Sequence, residues 1–163
     1  MIALRPLVPA DAPAVRRIYS GASVRFLGRS PMTGREAQEY VCRARELARV
    51  EPIEECVLGV HLGVDVGEGA AIGIVKLGRR PGRHGRVSYV LRDDCWGHGY
   101  ATEAVRELID LALGATRFWS LGAKHHPDNH ASGRVLLRAG FTCLGARRGM
   151  IEYHLERRSP PYD

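Results

Sequence analysis

"LRDDCWGHGYATEAV", residues 91–105, is where the chain changes character. A strand-like run, Val87-Ser88-Tyr89-Val90-Leu91, stops at Asp93 and Asp94. Two glycines, Gly97 and Gly99, come next, and from Tyr100 onward apolar residues recur at helical spacing. Glycine is a poor residue with which to start a helix unless something must come close to the backbone. A helix N-terminus offers just such a place. Its first four N–H groups lack intrahelical partners, and the aligned peptide dipoles add about half a positive charge. Small residues there let an anion sit on those N–H groups.

Several readings of this turn compete. A P-loop needs GxxxxGK[ST], and no Lys-Ser or Lys-Thr follows the glycines. A dinucleotide fingerprint needs GxGxxG, but "GHGYAT" carries Thr102 in the third glycine's place, and the next strand ends in Ala123-Lys124 rather than in an acid. A tight strand-to-helix turn with no ligand stays open, since isolated glycines are weak signals.

The elements on either side place the turn. "IALRPLV" (2–8) reads as a strand, and Asp11 as the cap of a helix over about 12–20. "TGRE" (33–36) is a capping box that opens a helix to about Val50, with Tyr40, Val41, Ala44, Leu47 and Ala48 as its apolar stripe. Strands at 56–64 and 70–78 flank the turn-rich "DVGEG", and 86–91 is a third neighbour, with "RRPGRHGR" (79–86) read as a solvated hairpin loop. A helix over 100–113 buries Ala101, Ala104, Val105, Leu108 and Ala112. A strand at 117–123, a helix over 130–139 ending at Gly140, and strands at 141–146 and 150–155 close the chain ahead of the tail "SPPYD". Three strands in sequence predict antiparallel pairing, and the unit from 86 to 123 predicts a parallel crossover. The expected fold is α/β (α+β): one domain, residues 1–163, with a mixed, mostly antiparallel central sheet of about seven strands flanked by about four helices.

Composition narrows the function. With 45% hydrophobic and 26% charged residues the chain reads as a globular protein. No run approaches a membrane span and the N-terminus lacks a signal-peptide pattern, so a cytoplasmic protein is expected. Cys42, Cys56, Cys95 and Cys143 are far apart and read as reduced, mostly buried thiols. The net charge of +6 suits an anionic ligand. Its arginines lack the interleaved aromatics of a nucleic-acid surface, and the three histidines of "HHPDNH" lack metal-ligand spacing, so neither nucleic acid nor metal is expected.

Two segments together carry a resemblance. "YVLRDDCWGHGYATEAV" resembles the pyrophosphate-binding segment of the GNAT superfamily, the acyl-CoA-dependent N-acyltransferases, and "HPDNHASGRVLLRAGF" (126–141) resembles its later Asn-x-x-Ser helix. The pair looks most like the RimJ/RimL branch, which acetylates protein N-termini and includes small-molecule enzymes. The element order matches that family from residue 2 to about 157. Trp96 replaces the basic residue that opens the family's glycine pattern. The resemblance implies acetyl-CoA as cofactor, with its pyrophosphate on the backbone of Trp96, Gly97, His98, Gly99, Tyr100, Ala101 and Thr102. It implies that Tyr89, Val90 and Leu91 pair with the pantetheine arm, that the N–H near Leu91 polarises the thioester, and that Asn129 and Ser132 lie beside the arm and the sulfur.

Many relatives protonate the leaving thiolate with a tyrosine four residues before the glycine of Gly-Phe. That position is Leu136 here, and Ser132 is the substitute this branch suggests. Strand alternation in "MIEYHLER" sets Met150, Glu152 and His154 on one side, so Glu152 is the candidate general base, ahead of His154 and Tyr19. The stretch 20–34, with Arg25 and Phe26, is expected to meet the acceptor. That acceptor is an amine, either a protein N-terminus or a small molecule, and the protein a monomer or homodimer. A coenzyme-A-binding protein without catalysis, and a basic nucleic-acid-binding domain, are the alternatives.

Overall fold

A computed structural model describes residues 1–63, 70–114 and 118–158. Seven strands form one sheet in the order β1-β2-β3-β4-β5-β7-β6. These are β1 (Ile2–Pro6), β2 (Glu55–Leu62), β3 (Gly73–Arg80), β4 (His84–Leu91), β5 (Ser120–His125), β6 (Thr142–Arg147) and β7 (Met150–Glu156). Only β4 and β5 run parallel; every other pair is antiparallel. The single parallel pair falls at the crossover expected from 86 to 123. Four helices flank the sheet: α1 (Ala12–Ile18), α2 (Gly34–Leu47), α3 (Tyr100–Gly114) and α4 (His130–Arg138).

Strand alternation divides the core in two. Ile74 of β3 and Val90 of β4 point to one face, where they pack with Val15 and Ile18 of α1 and Ala37 and Val41 of α2. Their neighbours Val75, Leu77, Val87 and Leu91 point to the other, against Ala104, Val105, Leu108 and Ala112 of α3, with Leu136 of α4 in the same cluster. The α3 stripe is as the sequence predicts, save that Ala101 is only half-buried. On α2 the stripe is shifted by a turn: Ala37 is buried and Ala48 is exposed. The predicted capping box is formed, with Thr33 Oγ1 accepting from Glu36 N at 3.2 Å and Glu36 Oε1 accepting from Thr33 N at 3.0 Å. Gly140, at φ +105°, ends α4 in the left-handed conformation, and Phe141 N returns to Leu136 O at 3.0 Å.

Three expectations need correction. Asp11 does not cap α1 with its side chain. It is 5% exposed, and its carboxylate turns back to accept two hydrogen bonds from Arg5, both at 3.0 Å, and one from Val8 N at 2.8 Å. A buried carboxylate needs a charged partner more than a helix needs its cap. The stretch 79–86 is not a loop: β3 runs to Arg80 and β4 starts at His84, leaving 81–83 as the turn. The cysteines are free as expected, but Cys42 and Cys143 are exposed rather than buried. The link at 65–69 and the tail at 159–163 lie outside the described residues, as does the start of the strand expected at 117.

The Arg5–Asp11 pair joins β1 to the start of α1 through mostly buried groups. Replacing Asp11 by Ala strands the guanidinium, so Asp11→Ala lowers stability by about 3–5 kcal/mol. Thr33→Ala, which removes an exposed cap, lowers it by about 1 kcal/mol. Urea unfolding of the two variants checks the ranking; equal losses would show that the Arg5–Asp11 pair does not tie β1 to α1.

Candidate active site

Parallel pairing between β4 and β5 covers only His84–Ser120, Gly85–Leu121 and Arg86–Gly122. Past Arg86 these two interior strands part, while β4 stays paired with β3 as far as Leu91. Arg92 N donates to Ile72 O at 2.8 Å. Residues of an antiparallel strand alternate in the edge to which they turn their N–H and C=O groups. Residues 91 and 89 therefore turn theirs away from β3 and into the gap. One of them, the Leu91 carbonyl, accepts from Trp96 Nε1 at 3.1 Å. That bond pins the glycine turn to the end of β4.

A cavity of about 500 Å³ adjoins this gap. Tyr89, Val90 and Leu91 line it from β4, Trp96, Gly97 and Gly99 from the turn, Tyr100, Ala101 and Thr102 from α3, and Asn129 and Ser132 from α4. Of the residues implied for the cofactor, only His98 is absent from the lining; its ring stacks on Tyr100 at 5.3 Å. Gly97 and Gly99 have φ of +82° and +78°, and a Cβ on either would meet open space. The glycines thus also provide a left-handed backbone on the cavity wall, beyond the close approach read from the sequence. The bond from Glu103 N to Gly99 O, 3.1 Å, opens the helical ladder, so the N–H groups of Tyr100, Ala101 and Thr102 come before the first intrahelical acceptor.

On the opposite wall, Asn129 Oδ1 accepts from Ser132 N at 3.2 Å and caps α4. The Ser132 hydroxyl lies 2.6 Å from the Tyr89 hydroxyl, which also donates to Ser132 O at 3.0 Å. Burial pushes the Tyr89 phenol up to about 12, against the lowering effect of its bond to Ser132. It therefore stays protonated at neutral pH. Sequence reasoning assigned Tyr89 a backbone role and missed this pair. Strand parity shows which face Tyr89 is on, but not which helix meets it there. Arg134 and Arg138 were also missed. Their i, i+4 spacing puts both on one face of α4, and with Arg25 they set three guanidinium groups around the cavity against the one carboxylate of Asp128. An excess of cations, together with free N–H groups at a helix start, suits a phosphorylated ligand.

The segment between α1 and α2 folds over the same cavity. Ala22 N donates to Asp93 Oδ2 at 2.9 Å, and Gly21 at φ +59° leaves room for that carboxylate. Asp93 is a further residue that the sequence did not single out. Arg25 and Phe26 both line the cavity, with the Arg25 guanidinium 5.2 Å from the Phe26 ring. Phe26 in turn stacks on His126 at 5.4 Å, bridging to the loop before α4.

Glu152 does not line the cavity. It faces the α1/α2 side of the sheet, opposite Tyr153, and lies 3.9 Å from Arg147. His154 shares its face and stacks on His84. Tyr19 is buried, bonds the Tyr40 hydroxyl at 3.2 Å, and has its phenol pushed up by burial. The three histidines are not gathered together: His125 Nε2 bonds Tyr153 OH at 2.9 Å, His126 stacks as described, and His130 lines the cavity from the start of α4. Among the described residues no group of three or more His, Cys, Asp or Glu is placed to hold a metal ion.

A model of the acetyltransferase (GNAT) domain family matches residues 2–142. The chain belongs to the GNAT acetyltransferase family. Acetyl-CoA is accordingly its cofactor, and the arginines and unpaired N–H groups of the cavity fit its phosphates. The chain is similar to an uncharacterized N-acetyltransferase, YoaA, of Bacillus subtilis (strain 168), at 27% identity over 81 residues; that match covers 50% of this chain and 44% of the relative. An acetyltransferase from Agrobacterium tumefaciens str. C58 is 26% identical with a TM-score of 0.75, covering 96% of this chain and 91% of that one. The microcin C7 self-immunity acetyltransferase MccE, solved with acetyl-CoA and AMP, shares the fold at 16% identity and a TM-score of 0.79, covering 96% and 92%.

Gly99→Glu puts a side chain at a left-handed position and a negative charge beside the helix start. Affinity for coenzyme A, measured by calorimetry, is expected to fall at least about tenfold, or 1.4 kcal/mol. Circular dichroism is expected to stay parent-like, because the position opens to free space. Parent-like affinity in the folded variant would put the pyrophosphate elsewhere.

Proposed function

We propose that residues 1–163 act as one cytoplasmic N-acetyltransferase domain, of the RimJ/RimL-like branch, that moves an acetyl group directly from acetyl-CoA to a primary amine. The observation that carries the reading is the Tyr89–Ser132 hydroxyl pair on one wall of a cavity whose other wall is the Gly97–Thr102 turn. The "WGHGYATEA" and "NHASGRVLLRAGF" segments support the branch. Among the described residues no helix is long and apolar enough to cross a membrane.

Each wall has its task. The turn N–H groups and Arg134 and Arg138 hold phosphate oxygens, while the exposed backbone edge of Tyr89 and Leu91 holds the amide-bearing arm. Bound acetyl-CoA supplies the thioester carbonyl that the amine attacks and the thiolate that leaves. The Leu91 N–H, turned into the gap, donates to the oxygen on which charge develops. The Ser132 hydroxyl turns from the Tyr89 oxygen to the departing sulfur and donates its proton there; the Tyr89 phenol turns its one proton from Ser132 O to Ser132 Oγ to resupply it and re-forms its own O–H from solvent. The C–N bond forms as the C–S bond breaks, and the amine's second proton passes to a base. Glu152 is the proposed base for an amine that approaches along the α1/α2 face, directly or through water. Arg25 and Phe26 are proposed to meet the acceptor at the cavity rim.

Ser132→Ala is expected to lower kcat by about 10²–10⁴-fold. Tyr89→Phe is expected to lower it less, with coenzyme A affinity changed by less than about threefold, since the ring is kept. The phenol, at about 12, acts as a donor only below that value, so no loss of kcat from its ionisation is expected between about pH 6 and pH 10. Over that range the parent rate instead climbs as the acceptor amine loses its proton. For Glu152→Gln the climb is steeper, because free amine replaces the missing base. Initial-rate pH profiles of the three variants check this. A parent-like kcat in Ser132→Ala removes the hydroxyl pair from the mechanism, and a parent-like profile in Glu152→Gln removes Glu152.

A further inference from the structure

The face of the sheet that carries α1 and α2 is bare over its middle. Ser88 of β4 and Lys124 of β5 are exposed although both strands are interior to the sheet. One row crosses this face: Glu55, Gly78, Arg86, Gly122, His154 and Thr142 are successive register partners on six strands. Arg86 therefore stands between two glycines. The spaces beside it are overhung from the next row, where Arg80 and His84 are register partners. A Cβ on Gly78 would lie 3.5 Å from an Arg80 guanidinium nitrogen, and one on Gly122 would lie 2.9 Å from His84 Nε2. His84 stacks on His154, with ring centroids 5.9 Å apart and planes at 14°. Two arginines and two histidines thus converge on the glycine row.

Their negative partners are few. Arg86 Nε is shielded from solvent and has no hydrogen-bond partner among the described residues. Neither Arg80 nor Arg86 forms an ion pair among those residues. His154 has Glu156 at 3.3 Å, but that carboxylate is 79% exposed at the strand end. Glu55 shares the row but stands two strands from Arg86, beyond Gly78, and its charge acts on Tyr19, Tyr40 and Lys76. His84 is held below the ordinary histidine range by burial, then by His154, Arg86 and Arg80. A buried N–H without a partner costs free energy that an oxyanion would recover.

We propose that Arg86, Arg80, His84 and His154 form an oxyanion site on this face, which holds a carboxylate or phosphate of the acceptor and selects amines that carry such a group. The selection of the acceptor rests on the acetyl-transfer reading above; the anion site itself does not. Arg86 is the last β4 residue paired to β5, and Leu91 lies five residues farther along the strand. At about 3.3 Å per residue that is roughly 17 Å, and Arg80 and His84 stand one row farther from Leu91 than Arg86 does, so an anion shared among them sits roughly 17 Å from the amine. The acceptor class is an extended amine with its negative charge at that distance: a peptide N-terminus with an acidic residue about five residues on, near the sixth position, or a long amino acid.

Two experiments separate the site from the reaction. In the first, the ring signals of His84 and His154 are followed by NMR during titration with inorganic phosphate at constant ionic strength. A saturable shift is expected, weakened at least about tenfold in Arg86→Met and also in Arg80→Gln, whose exposed position guards against a folding failure at Arg86. No saturable shift, or equal shifts in parent and both variants, overturns the proposal. In the second, acetyl transfer is compared for peptides with Asp or Asn at position six, and for aminododecanoate against aminododecanamide. A preference for the anionic member that falls at least about tenfold in Arg86→Met supports the selection, and the pair that shows it identifies the source of the anion. Turnover without preference overturns the selection and leaves acetyl transfer standing. Saturable phosphate binding with no turnover of any amine overturns acetyl transfer and leaves the anion site standing.

Discussion

An interior strand with unpaired backbone is the constraint on which the rest of this structure depends. Backbone N–H and C=O groups away from a partner are costly, and proteins seldom leave them so. Here β4 is held by β3 along one edge and released by β5 along the other, after three residue pairs. Tyr89 and Leu91 turn polar groups into the resulting gap. Trp96 takes one of them, and the others belong to the wall of a cavity. The features around that gap can be understood as ways of keeping it open without unravelling the sheet. The crossover helix α3 packs behind it, α4 is pinned across it by the bonds from Tyr89 to Ser132, and the segment before α2 is tied to the turn through Asp93.

Much of this was legible in the residues, for identifiable reasons. Period-two and period-3.6 patterns carried the strand and helix order, and the long excursion between 91 and 120 required a parallel crossover. Gly97 and Gly99 marked the turn because glycine is a poor start for a helix unless the backbone there is closely approached, and the Thr33–Glu36 box is a local signal that needs no tertiary context. What failed depended on partners distant in sequence. Asp11 looked like a cap because Arg5 was not known to lie within reach of its carboxylate. The arginines of 79–86 read as loop because charge was taken for solvation, whereas a strand with one open face can carry them. Leu136 stands where many relatives carry a tyrosine, and the phenol that meets Ser132 comes from Tyr89 on the facing strand, a position that no local pattern on α4 could announce.

The two faces of the sheet divide the electrostatic work. On the α3/α4 side, Arg134 and Arg138 stand around the cavity with the helix-terminal N–H groups, so that planar guanidinium groups and fixed backbone dipoles face the same space. On the α1/α2 side the cations stand on strands, in a row set by register rather than by helical spacing. The first arrangement resists salt better, since N–H groups at a helix start are directional and partly enclosed. The second is more open and more readily screened. On the two proposals above, anion binding on the two faces differs in its sensitivity to ionic strength.

The bond between the Trp96 indole and the Leu91 carbonyl has an optical consequence. The chain has two tryptophans, Trp96 and Trp119. Trp96 is 49% exposed, lines the cavity and is fixed at its nitrogen. Trp119 is 56% exposed, precedes β5 and lies 5.8 Å from the Arg157 guanidinium, outside the cavity lining. A ligand that enters the gap exchanges water for its own atoms around the first indole and leaves the second in place. The emission of the unlabelled protein therefore contains one reporter of occupancy and one internal reference.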